Sequence, residues 1–137
     1  MRRYLLDTTP LTAYLKGIST ARSLIEPWIT RHEAATSVLV YGEMTEYNLG
    51  FSDSARRQNE LRLLLDEIVP YVPTYSILER YADLRRHLRP PHGPGLIGDI
   101  DTLIAATALE YDLRLVTTDT DFQRVPGLDL VLLPRRG

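Results

Sequence analysis

The stretch "DIDTLIAATALEYDLRLVTTDTDF", residues 99–122, decides the fold. Leu103 to Leu109 is apolar on nearly every side, which predicts a deeply packed helix over 96–111. "LRLVTT", 113–118, follows at once as a short apolar run of strand length, and it ends on an acid, Asp119. A buried helix feeding a buried strand is half of a parallel crossover unit. The helix opens on two carboxylates, Asp99 and Asp101, although a start signal needs only one. At ~100° per residue, Asp101 shares a face with Ile104, Ala105 and Ala108, while Asp99 points to roughly the opposite side. Asp99, just after Gly98, is placed to cap the first free amides. Asp101 has no such role, and a carboxylate held against a core must be paired, protonated or bound to a cation.

The same alternation extends outward from this segment. "RRYLL" (2–6) reads as a strand ending at Asp7, with Thr8 or Thr9 capping the next helix and Pro10 in its first turn. A helix over about 20–31 is open to a break near Pro27. "EAATS" (33–37) reads as a buried strand, after which Ser37 caps "VLVYGEMTEYNL" and Gly50 ends it. Residues 53–68 place Leu61, Leu64, Leu65 and Ile68 at helical spacing. "VPYV" (69–72) is a strand weakened by Pro70, 74–88 is helical, and "RPPHGPGLIG" is a loop rich in breakers. "LDLVLL" (128–133) completes the sheet. Strands alternating with helices imply an α/β fold with a central, mostly parallel sheet covered on both faces. No repeat or linker divides the chain, so 1–137 reads as a single domain.

Composition narrows the chemistry. The 137 residues are 44% hydrophobic and 25% charged, the balance of an ordinary globular chain. "MRRYLLDTTPLTAYLKG" meets Asp7 too early for a signal peptide, and no run approaches a membrane span, so a cytoplasmic location is expected. Cysteine is absent, which removes disulfides, thiolate metal sites and thiol nucleophiles. His32, His87 and His92 match no zinc spacing. Net charge is −2, so the molecule as a whole is no polycation. Of its sixteen basic residues all but Lys16 are arginines. The cluster Arg80, Arg85, Arg86, His87 and Arg89 has two readings, a solvated helix face or a phosphate-binding rim.

Asp7 and Asp119 both follow strands, where sites form in parallel sheets. Glu43 lies on a helix that also begins near a strand end. If these acids and Asp101 converge, each pair at about 5 Å repels by roughly 3 kcal/mol at an effective dielectric of 20. Arginines could neutralise them. Carboxylates with neighbouring hydroxyls (Thr8, Thr9, Thr117, Thr118) and no thiol look more like a site for Mg²⁺ or Mn²⁺.

"YLLDT", "SVLVYGE", "IGDIDTLIAATAL" and "LVTTDTDF" resemble the four signature segments of a PIN domain, and the last two resemble the VapC toxins of bacterial toxin–antitoxin pairs in particular. The resemblance spans nearly the whole chain, and G-x-x-D-x-L-I-A-A from Gly98 is its most specific part. It implies a three-layer α/β/α fold and an acidic site of Asp7, Glu43, Asp101 and Asp119 that is both metal-binding and catalytic. It further implies a Mg²⁺-dependent endoribonuclease acting on RNA, a homodimer, and inhibition by a VapB-type antitoxin. Thr9 departs from the pattern, since many relatives carry asparagine there; its hydroxyl is expected to bond to a neighbouring carboxylate or water. Asp121 and Glu46 are alternative acids beside Asp119 and Glu43.

Three other readings compete. A phosphotransfer protein also places an aspartate after its first strand, but it needs a late lysine and the only lysine is Lys16. A housekeeping PIN nuclease needs no antitoxin, and a PIN-like interaction module needs no catalysis.

Overall fold

Leu5, Leu6, Ala34, Ala35, Leu115 and Val116 are all buried, the pattern of short strands covered on both faces. The computed structural model describes residues 1–135. The elements run β1 (Tyr4–Leu6), α1 (Thr8–Leu15), α2 (Ser19–Thr30), β2 (Ala34–Ser37), α3 (Val38–Leu49) and α4 (Ser54–Leu65). They continue as β3 (Val69–Tyr71), α5 (Tyr75–Leu88), α6 (Asp99–Glu110), β4 (Arg114–Thr117), a 3-10 helix (Thr120–Arg124) and β5 (Leu130–Leu132).

The strand order is β3-β2-β1-β4-β5, and every pairing is parallel, so the sheet is wholly rather than mostly parallel. Leu5 pairs with Ala35 on one side of β1, and Leu6 with Val116 on the other. The chain builds outward from β1 to β3 and then crosses back to β4. That reversal opens a crevice at the carboxyl ends of β1 and β4, where an open α/β sheet places its ligand. Pro70 is exposed on the edge strand β3, the position in a sheet where a missing amide does least harm.

Helix α6 buries Thr102, Ile104, Ala105, Ala106, Thr107 and Ala108. Its alanines let the helix axis lie close to the sheet, which brings its first turn to the crevice. Tyr4 stacks on Trp28 with centroids 3.9 Å apart, tying α2 to the central strand β1. No helix is long and apolar enough to cross a membrane among the described residues.

Three local expectations are corrected. Helix α2 runs unbroken with Pro27 in its last turn, where little ladder remains to lose. The N-cap position of α1 is Asp7 rather than Thr8 or Thr9, and no side chain caps there. Gly98 is the N-cap of α6, and Asp99 is its first helical residue. The Asp99 carboxylate accepts hydrogen bonds from Arg85 at 2.6 Å and the Tyr81 hydroxyl at 3.2 Å instead of capping amides. A charge-assisted bond to a guanidinium is stronger than one to a neutral amide, so the pairing to α5 prevails. Ser37 does cap α3, accepting from the Leu39 amide at 3.1 Å.

Candidate metal centre

Asp7 reaches the crevice because β1 ends one residue before it, and its amide continues the ladder to the Val116 carbonyl at 3.0 Å. Its side chain is 7% exposed. The Thr117 hydroxyl donates to Asp7 Oδ2 at 2.7 Å. The same hydroxyl oxygen accepts from the Asp119 amide at 3.1 Å, so one buried threonine joins the acids that follow β1 and β4. Asp119 Oδ1 accepts from the Asp121 amide at 2.9 Å and caps the 3-10 helix, leaving Oδ2 free of that bond.

Glu43 comes from the second turn of α3. The Thr8 hydroxyl donates to its Oε1 at 2.7 Å, which ties it to the residue next to Asp7. Asp101 enters from the first turn of α6 and makes no hydrogen bond or ion pair among the described residues. Burial first, and then the charges of Asp7, Asp119, Glu43 and Asp121 in that order, together push its carboxyl up to about 6. Asp7 is likewise raised, first by burial and then by Glu43 and Asp119, with the Thr117 hydrogen bond acting in the opposite direction.

All four expected acids therefore act on one another across a single crevice. Arginine neutralisation is not how they are accommodated. Among the described residues every ion pair lies elsewhere, and none includes Asp7, Glu43, Asp101 or Asp119. A set of carboxylates, one buried and three half-buried, with no cation of its own fits a hard divalent ion by donor chemistry. As the side chains stand, no three acidic or histidine groups among the described residues are gathered tightly enough to hold one ion. The fit thus lies in donor type and electrostatics.

The PIN domain family matches this chain over residues 4–128. The chain belongs to the PIN domain family. PIN domains are generally nucleases that depend on divalent metal. No curated protein matches the chain at a significant level. Several solved structures share the fold. VapBC2 from Rickettsia felis, bound to a DNA fragment from its promoter, is 23% identical with a TM-score of 0.83, covering 95% of this chain and 98% of that one. DNA-bound VapBC from Salmonella typhimurium is 17% identical with a TM-score of 0.84, covering 95% and 97%. A toxin–antitoxin complex from Klebsiella pneumoniae is 25% identical with a TM-score of 0.71, covering 91% and 94%.

In this PIN domain two of the four threonines expected beside the acids, Thr8 and Thr117, reach them. Thr9 is exposed and bonds to no carboxylate, while Thr8 and Thr117 do so. Strand alternation could have singled out Thr117, because it follows buried Leu115 on the same face of β4. Asp121 contributes its charge to Asp101 but pairs with Arg124 at 3.4 Å, and Glu46 is exposed and absent from the charges felt there. Two cations of the arginine cluster are engaged within the fold. Arg80 binds Glu110 at 2.9 Å and Arg85 binds Asp99, so both tie α5 to α6. Arg56 and Arg57 both pair with Asp53.

Thr117→Val tests the shared threonine. The substitution keeps the shape but strips a buried carboxylate of its donor and an amide of its acceptor. Stability should fall by about 1–3 kcal/mol at pH 7. Urea unfolding with an unchanged midpoint would show that the hydroxyl bonds contribute nothing.

Proposed function

We propose that this PIN domain is a Mg²⁺-dependent endoribonuclease toxin of the VapC type, held inactive by a cognate VapB-type antitoxin. The observation that carries the nuclease part is the set of four carboxylates from four separate segments, meeting without any basic partner. Asp7, Glu43, Asp101 and Asp119 would hold Mg²⁺, with Mn²⁺ as a substitute. When bound, the ion supplies charge neutralisation and water activation at a phosphodiester.

The chain's own residues supply the rest. Thr117 fixes the rotamer of Asp7 and the position of the Asp119 backbone, and Thr8 orients Glu43. Burial of Asp7 lowers the local dielectric, so each carboxylate acts more strongly on a cation than it would in water. The toxin part is supported by the fold shared with VapBC complexes. A homodimer belongs to the same reading, supported by exposed Val72, Tyr75 and Leu78 beside the β3 edge. A cytoplasmic site of action follows from an RNA substrate.

The test is cleavage of single-stranded RNA by the purified chain with Mg²⁺. A chelator should stop cleavage and excess Mg²⁺ should restore it. Cleavage that persists fully in chelator, or no cleavage of any RNA at any Mg²⁺ or Mn²⁺ concentration, would exclude this mechanism.

A further inference from the structure

A second cleft, of about 250 Å³, lies between α1, α3 and α4, lined in part by Thr12, Lys16, Tyr47 and Asn48 and, on α4, by Arg57 and by Glu60, whose charge is paired with Arg56. Helices α1 and α3 leave the carboxyl ends of neighbouring strands and run in the same sense. Thr12 and Tyr47 each stand four residues beyond the Thr8–Glu43 hydrogen bond, about 6 Å further along their helices. The cleft is thus the continuation of the acidic crevice.

Its wall alternates cations with aromatic rings. Lys16 Nζ lies 5.2 Å from the Tyr47 ring centroid. Tyr47 meets Phe51 edge-on at 5.0 Å, and Arg57 Cζ lies 3.8 Å over Phe51. The floor is fixed by buried Asn48, which donates to Gln58 at 3.0 Å, while Gln58 in turn donates to Tyr41 and Thr45. Arg57 is committed to Asp53, but Lys16 has no carboxylate partner among the described residues and Tyr47 is 39% exposed. A cation without a carboxylate partner, beside a partly exposed ring, is the composition of a single-strand nucleic-acid groove.

We propose that this cleft is a subsite for the single-stranded RNA flanking the cleaved bond, with Lys16 on a phosphate and Tyr47 under a base. The subsite rests on the ribonuclease reading and gives that reading a direction along which the substrate lies. It assigns a use to the one lysine in a chain otherwise basic through arginine.

Labelled single-stranded RNA titrated in Mg²⁺ against an Asp101→Asn chain, which should not cut it, reads the two contacts separately by anisotropy. Adding Lys16→Ala should reduce the slope of log affinity against log salt by about 0.7, the value of one phosphate contact on a single strand. Adding Tyr47→Leu should weaken binding about fivefold or more with the slope unchanged, and Tyr47→Phe should restore most of it. Thermal melts of each variant separate lost contacts from lost folding. If the unsubstituted chain cleaves RNA while the folded variants bind it with unchanged affinity and slope, the subsite is wrong and the ribonuclease reading stands. If those variants lose only affinity for a co-encoded partner protein, the cleft docks protein and the proposal is overturned. If the unsubstituted chain neither binds nor cuts RNA, both readings fall together.

Discussion

Asp101→Asn is expected to abolish RNA cleavage and, unusually for a site substitution, to make the metal-free protein more stable at pH 7. Its carboxyl is pushed up to about 6 in the folded chain, above its ordinary value near 4. Between those values the folded state holds more protons than the unfolded one, so stability rises as pH falls through about 6. Above about 6 the full cost of the buried, repelled charge is present. Asparagine removes that charge, giving a gain of about 1–3 kcal/mol. Its melting temperature should also depend less on pH between 4 and 7, the remainder coming from Asp7, whose carboxyl burial also raises. Mg²⁺ should raise the melting temperature of the unsubstituted chain by mass action, and of Asp101→Asn far less. Asp99→Asn is the control. Its carboxylate is exposed and turned to Arg85, so cleavage should largely survive and stability should change by no more than about 1 kcal/mol. Thermal melts from pH 4 to 8 decide the matter. A destabilised Asp101→Asn protein, or equal loss of activity in both folded variants, would contradict this division of labour.

The second large effect concerns the cell. Expression of the unsubstituted chain alone should arrest growth, Asp101→Asn should not, and a co-encoded antitoxin should rescue growth. The charge pattern supports such control, because a crevice of four carboxylates without a cation of their own offers an antitoxin a place for one basic side chain. Such a side chain would compete directly with Mg²⁺. Viable counts after induction measure the effect. Harmless accumulation of the unsubstituted chain, or toxicity undiminished in Asp101→Asn, would favour a housekeeping PIN nuclease over a toxin.

The acids were legible in the sequence because their placement follows from the strand pattern. "YLL" and "LRLVTT" end on Asp7 and close to Asp119, and a parallel sheet puts such ends on one edge. Asp101 was legible because helical geometry turns it toward alanines, where a surface charge has no place. What could not be read was the partner of each polar group. The cap assigned to Asp99 failed because Arg85 lies fourteen residues away, on a helix whose packing angle no local pattern specifies. The arginine cluster was open between a solvated face and a phosphate-binding rim, and neither reading contains the pairing of Arg80 and Arg85 to Glu110 and Asp99. The choice of Thr8 over Thr9 depends on where α3 places Glu43, a tertiary fact. Edge strand β3, with Pro70, was the weakest element in the sequence for the reason that makes it tolerable in the fold.

The hydrogen bond from Thr117 to Asp7 spans 110 residues of chain, and the strand that carries Thr117 covers one whole flank of β1. During synthesis, then, Asp7 and Glu43 are made well before the strand that aligns them. A nascent chain lacking β4 has Asp7 beside an open strand edge, with neither the threonine that orients it nor Asp119. Loop closure over so many residues is also among the slower steps available to a chain. The acidic crevice is therefore completed late, after most of the chain has been translated, and on the proposed toxin reading the interval gives an inhibitor already present in the cell time to meet its target.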